Sequence, residues 1–151
     1  MARGALVAVC SGLVDSARDY AKSHHVSLIL DRGRSDAVTT NGNAVGLRRA
    51  VLAILDNAIE HTPSSGTVTV TVGRQGRHAV IDVSDTGPGI APTEIERVFD
   101  RFHSGHQKAS RRSYGLGLAL AREVVTRNGG RLTVETTSER GTTFRVWLPR
   151  I

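Results

Sequence analysis

Cysteine is almost missing from this chain. Cys10 stands alone, which excludes an internal disulfide framework and any metal site built on several thiolates. A single thiol suits a reducing, cytoplasmic setting, and near a terminus it reads as a small hydrophobe. Aromatic residues are scarce as well, with three Phe, two Tyr and one Trp in 151 residues. The core must therefore be built from Val, Leu, Ile and Ala. The same scarcity removes the stacking platforms on which single-stranded nucleic acid is bound. No stretch approaches the roughly 20 apolar residues of a membrane span, so no direct membrane contact is expected. Met1 to Ser11 lacks the charged start and long apolar run of a signal peptide. Internal repeats, low-complexity segments and linkers are also missing, so residues 1–151 read as a single domain.

What is present suits a globular fold. Apolar residues make up 39% of the chain, an ordinary share that allows a real core at this length. Lys and Arg number 20 against 14 Asp and Glu, for a net charge of +6. The cations are scattered from Arg3 to Arg150, densest at Arg48-Arg49 and from Lys108 to Arg112. That spread reads as solvated surface, and no nucleic acid partner is expected.

Periodicity outlines the elements. Apolar residues at Leu13, Val14, Ala17, Tyr20 and Ala21 predict a helix over 12–24. Val26 to Leu30 and Ala37 to Thr40 read as strands, with a turn at Asn41-Gly42-Asn43. Ala44 to His61 is strongly helical and is stopped by Thr62-Pro63-Ser64-Ser65-Gly66. Thr67 to Gly73 and His78 to Ser84 alternate at period two, with a hairpin turn over 73–76. A short helix is expected from Pro92 to Phe99, a polar loop from Asp100 to Ser113 and a helix from Gly115 to Asn128, ended by Gly129-Gly130. Arg131 to Thr136 and Thr143 to Leu148 read as a final hairpin. The order predicts a two-layer α/β (α+β) sandwich: a mixed, mostly antiparallel sheet covered on one face by about three helices.

Three short segments carry chemistry. Asp85-Thr86-Gly87-Pro88-Gly89-Ile90 ends a strand in a carboxylate, followed by two glycines two apart. Glycine lets backbone approach a flat ligand, and a carboxylate accepts a hydrogen bond from an exocyclic amine such as that of adenine. The same residues also suit a plain turn between strand and helix. Gly115-Leu116-Gly117-Leu118 opens a helix, where bare N–H groups attract phosphate. It lacks the Lys-Ser/Thr of a Walker loop and the spacing of a Rossmann fingerprint, and tight helix–sheet packing is the alternative. Asp56-Asn57 is a polar pair inside an apolar helix. Asn57 offers a carbonyl oxygen for a hard cation such as Mg²⁺, or is an ordinary surface Asn.

Taken together, five segments in order resemble the successive N, first glycine, phenylalanine, second glycine and third glycine boxes of the sensor histidine kinases. They are Asp56 to Thr62, Asp85 to Ile90, Val98 to Phe102, Gly115 to Ala119 and Gly141 to Phe144. The resemblance covers about Leu13 to Pro149. It implies the Bergerat fold shared with gyrase, Hsp90 and MutL, with ATP and Mg²⁺ as cofactors. It makes Asn57 the Mg²⁺ ligand and Asp85 the adenine-recognising carboxylate. Gly87, Gly89 and Ile90 would pass the base, and Thr143 would support it through a hydrogen bond. Phe99 and Phe102 would anchor a lid. Gly115, Leu116, Gly117 and Leu118 would hinge that lid and meet the phosphates, with Lys108, Arg111 and Arg112 reaching the triphosphate from within it.

The chain departs from the family pattern in places. Ala53 stands where an Asn is common one turn before the metal ligand. Glu60 replaces a frequent Lys or Arg, and would repel phosphate unless it pointed to solvent. Ser113 and Tyr114 replace a Gly and a small residue at the start of the second glycine box. None of His24, His25, His61, His78, His103 and His106 lies in a His-Glu-x-x-Thr-Pro setting. The resemblance therefore implies a catalytic domain, expected as a monomer from the cytoplasmic part of a membrane-anchored receptor. Its partners would be a separate dimerisation and phosphoacceptor domain and, indirectly, a response regulator. The alternatives are an anti-sigma-factor-type serine kinase and a non-catalytic ATP-binding or interaction module.

Overall fold

The computed structural model describes residues 4–31, 39–40, 44–99 and 117–149. Helix α1 spans Leu6–Ser23 and starts a turn and a half before the expected Gly12. Leu6, Cys10, Leu13, Val14, Ala17 and Ala21 are all buried, so the apolar stripe runs through Gly12 without a break. Burial pushes the Cys10 thiol up to about 12, as desolvation of a thiolate requires. Helix α2 spans Ala44–His61, as the pattern predicts. Leu47, Ala50, Val51, Ile54, Leu55, Ala58 and Ile59 are buried along it. It ends where the Thr62 hydroxyl donates to the Ala58 carbonyl at 2.7 Å and Ser65 takes φ +73°. Helix α3 spans Gly117–Arg127. It closes with paired bonds, Gly130 N to Val125 O and Gly129 N to Thr126 O, both 3.0 Å, the Schellman arrangement.

Five strands form the main sheet in the order β2-β4-β5-β7-β6. They are β2 (Ser27–Asp31), β4 (Thr67–Gln75), β5 (His78–Asp85), β6 (Arg131–Ser138) and β7 (Gly141–Pro149). Only β2 and β4 pair in parallel. Two short strands, β1 (Gly4–Ala5) and β3 (Thr39–Thr40), make a separate antiparallel pair. The expected strand over 37–40 is thus described only at its last two residues, and the turn at 41–43 lies outside the described residues. β4 extends to Gln75, so the hairpin turns at Gly76-Arg77 rather than over 73–76. Between Pro92 and Phe99 there is one 3₁₀ turn, Ile95–Arg97, in place of the expected short helix. Proline and polar side chains there supply no continuous apolar face to hold a longer one.

The pleat sorts side chains strictly. Val68, Val70 and Val72 of β4, Ala79, Ile81 and Val83 of β5, and Phe144, Val146 and Leu148 of β7 face the helices and are buried. They form one aliphatic core with α1, α2 and α3. The opposite face carries a polar network. Arg145 grips Asp82 with two parallel bonds, Nε to Oδ1 at 2.7 Å and Nη2 to Oδ2 at 2.8 Å. Trp147 lies beside the Arg145 and Arg131 guanidinium groups and donates its Nε1–H to Thr133 Oγ1 at 2.9 Å. The architecture is the two-layer, mostly antiparallel sandwich expected from the element order.

Candidate functional site

Asp85 is the last residue of β5 and continues the helix-facing row after Ala79, Ile81 and Val83. Its cross-strand partner on β7 is Thr142. One carboxylate oxygen, Oδ1, accepts from Gly87 N at 2.9 Å and from Thr142 N at 3.2 Å. Burial raises the Asp85 pKa above its ordinary value, while the bonds from Gly87 and Thr142 and the nearby His61 pull it back down. Among the described residues no Lys or Arg forms an ion pair with it, and a half-buried carboxylate so placed is poised to take a donor from a ligand.

The backbone around it is drawn in tightly. A Cβ on Gly87 would lie 2.5 Å from the His61 carbonyl oxygen, so this loop rests directly on the end of α2. Gly141 has φ +143°, and a Cβ there would collide with the Asp85 carbonyl. Only glycine lets β7 begin against the end of β5. Further along the loop, Gly89 turns the chain with φ +85°. Ile90 N then donates to Thr137 Oγ1 at 2.8 Å, and Ile90 packs onto the core.

Helix α2 carries Asn57 and His61 one turn apart, and His61 lies near Asp85. The His61 ring is bonded through Nδ1 to the Asn57 carbonyl at 2.8 Å. That oxygen can only accept, so Nδ1 carries the hydrogen. The Asn57 carboxamide is half-buried and has no protein hydrogen bond among the described residues. Ala53, one turn earlier, adds no polar atom. Glu60 does not simply point to solvent, since its Oε2 is covered by protein. Among the described residues no group of three or more His, Cys, Asp or Glu gathers. A divalent ion here would depend on Asn57, water and ligand oxygens, the manner that suits Mg²⁺.

Phe99 stands edge-on to Phe144 with ring centroids 6.0 Å apart, and the Arg122 guanidinium lies 5.4 Å from its ring centroid. It ties the segment after the first glycine box to both the sheet and α3. Gly117 and Leu118 open α3 and are half-buried. Phe102, Lys108, Arg111, Arg112, Gly115 and Leu116 lie outside the described residues.

One expected residue is not brought to Asp85. Thr143 lies on the opposite face of the sheet, where its Oγ1 meets Ser84 Oγ at 2.8 Å. Thr142, its neighbour, shares the helix face with Asp85 and is buried. His61, at the end of the Asp56 to Thr62 segment, lies near Asp85. Thr137 escaped the sequence reading, because it sits in a Thr-Thr-Ser run with no pattern to single it out.

Residues 42–151 match the family described as histidine kinase-, DNA gyrase B-, and HSP90-like ATPase. This chain belongs to that family. Within it, the domain is of the sensor histidine kinase catalytic type. It is 36% identical over 141 residues to the sensor histidine kinase RppB of Synechocystis, covering 92% of this chain and 31% of RppB. Among solved structures, the mycobacterial sensor histidine kinase MprB superposes with a TM-score of 0.76 at 30% identity, over 93% of this chain and 95% of that one. The catalytic domain of the histidine kinase ThkA shares the fold, with a TM-score of 0.83 at 19% identity over 98% of this chain and 94% of that one. The chain spans between 18% and 37% of the length of the first curated relatives it matches. The half-buried Asp85 carboxylate, held by Gly87 N and Thr142 N, fits the purine nucleotide that this ATPase domain implies, because it can accept from an exocyclic amine.

Proposed function

We propose that this domain binds Mg²⁺-ATP and presents it to a His on a dimerisation and phosphoacceptor domain, as the kinase half of two-component signalling. The observation that carries this reading is the half-buried Asp85 carboxylate, fixed by the backbone N–H groups of Gly87 and Thr142 at the end of β5. It accepts from the adenine amine. Gly87 and Gly89 keep the loop flat, and Ile90 closes it against the core. Thr142, rather than Thr143, supports the base from β7. Asn57 supplies its carboxamide oxygen to Mg²⁺. Gly117 and Leu118 at the start of α3, together with Gly115, Leu116, Lys108, Arg111 and Arg112, attend the phosphates.

Bound Mg²⁺-ATP supplies the γ-phosphoryl group, and the domain's own work is positioning and charge neutralisation. The nucleophile belongs to the partner domain, and the response regulator follows it indirectly. On this reading the domain works on the cytoplasmic side of its parent. The test is phosphotransfer from labelled ATP to a purified dimerisation domain. Acid-labile, base-stable label on the His, dependent on Mg²⁺ and lowered at least about tenfold by Asn57→Ala, supports the reading. Acid-stable phosphoserine on an antagonist protein would move the domain to the serine kinases. No adenine-nucleotide binding at all would remove the nucleotide site.

A further inference from the structure

The open face of the sheet is not satisfied throughout. At its hairpin end it carries Trp147, the only Trp of the chain. Four neighbours hold the ring. Its Nε1–H goes to Thr133 Oγ1 at 2.9 Å, and His78 stands edge-on with centroids 5.6 Å apart. The Arg131 and Arg145 guanidinium carbons lie 4.7 and 5.1 Å from the ring centroid. Val80 pairs with Trp147 across the strands and is only 4% exposed, although the pleat puts it on this face. The Trp147 ring is thus fixed in place and already flanked by cations.

The two arginines differ. Arg145 is bonded to Asp82 and Glu135, the acids of this face on β5 and β6. Arg131 is exposed and makes no hydrogen bond or ion pair among the described residues. A guanidinium stacked on a ring keeps its planar N–H edge free for a carboxylate, and the stack has already ordered its long side chain. Arg74 and Arg77 stand at the tip of the β4–β5 hairpin, at the same end of the sheet. Both are exposed and also without an ion pair among the described residues. The pairing runs Gly73, Val80, Trp147, Arg131 across four neighbouring strands. Three interstrand gaps, roughly 14 Å, therefore separate Arg131 from β4, the reach of about five extended residues.

We infer that this end of the open face, Arg131 with Arg74 and Arg77 around Trp147, docks an extended acidic segment of a partner protein. Its carboxylates meet three cations that the fold leaves unmatched, and Arg131 offers one of them a two-bond fork. Nucleic acid suits the surface less well, because the ring on which a base would stack is already flanked by guanidinium groups. The surface lies at the far end of β5 from Asp85. The strand runs eight residues from His78 to Asp85, roughly 23 Å at the rise of a strand. Partner and nucleotide are therefore held together without competition, and the docking surface stands apart from the nucleotide reading.

As the only Trp, Trp147 is its own reporter. Blocked hexaglutamate is titrated into the domain at low ionic strength while Trp147 emission is followed, with hexalysine as the control of opposite charge. Hexaglutamate should shift the emission saturably, hexalysine should not, and added salt should weaken the response. Arg131→Gln should raise the midpoint about fivefold, the worth of one exposed charge pair. Arg131→Lys, which keeps the charge without the planar fork, should fall between the two. Arg49→Gln removes an exposed charge on α2, in the helix layer, and should change the midpoint less than twofold. No saturable shift with hexaglutamate, or an equal loss in Arg49→Gln, overturns the docking surface. So does a shift given by phosphatidylglycerol vesicles or duplex DNA where hexaglutamate gives none.

Discussion

Two aspartates on one strand lead opposite lives. Asp82 and Asp85 are three residues apart on β5, so the pleat sends them to opposite faces of the sheet. On the open face, Asp82 is clasped by the Arg145 guanidinium in a two-bond fork, with side chains only 17% and 19% exposed. Both charges are satisfied within the fold. On the helix face, Asp85 has backbone N–H donors and a nearby histidine but no ion pair among the described residues, and burial raises its pKa. The same residue type is structural where the fold completes its bonding, and on the proposed reading is kept for a ligand where the fold stops short.

The largest effect on stability is expected on the open face. Arg145→Ala should destabilise the domain by about 2 kcal/mol, because it leaves a largely covered Asp82 carboxylate unmatched. ADP affinity should change less than twofold, since the network faces away from the site. Denaturant unfolding beside calorimetry checks both halves. A loss of nucleotide affinity to match the loss of stability would mean the faces are not independent.

Next in size is the choice between neighbouring threonines. Thr142→Val should weaken ADP binding about tenfold, whereas Thr143→Val should alter it less than twofold. Competition against a fluorescent adenine nucleotide separates them. The reverse order would place the base on the other side of the strand.

The smallest effect is a pH dependence of several-fold. An ionised Asp85 accepts from an amine better than a protonated one, so adenosine affinity should fall as pH drops through its raised pKa, above the range of an ordinary aspartate. Stability should move the other way. A carboxyl whose folded pKa lies above its unfolded one contributes stability below the unfolded pKa and loses it as pH rises through the folded pKa. Asp85→Asn should flatten both profiles relative to the wild type. Adenosine is the probe because its base edge is read without titrating phosphates.

The sequence made the first of these residues legible and hid the others for physical reasons. Asp85 and Gly87 sit within one local run at the end of an alternating strand, so their setting is read from consecutive residues. Helix α2 announced itself through a wide apolar face, with Asn57 as the polar interruption. Thr142 and Thr143 are chemically identical, and only the pairing of Asp85 with Thr142 across two strands 57 residues apart decides which one faces the site. Thr137 needed a further strand, β6, and a register shift between Val134 and Thr136 to bring it under Ile90. The start of α1 was obscured because Gly12 reads as a breaker, although the buried stripe passes straight through it.

The most direct test is a calorimetric titration of ADP into the wild type, Asp85→Asn and Asp82→Asn, with folding of each checked by circular dichroism. The carboxylate on the helix face should be required and the one on the open face should not. Asp85→Asn is expected to weaken binding by about a hundredfold, the loss of a hydrogen bond to a charged acceptor within a covered site. Asp82→Asn should bind within about twofold of the wild type while losing stability. Equal affinities for Asp85→Asn and the wild type would contradict the account.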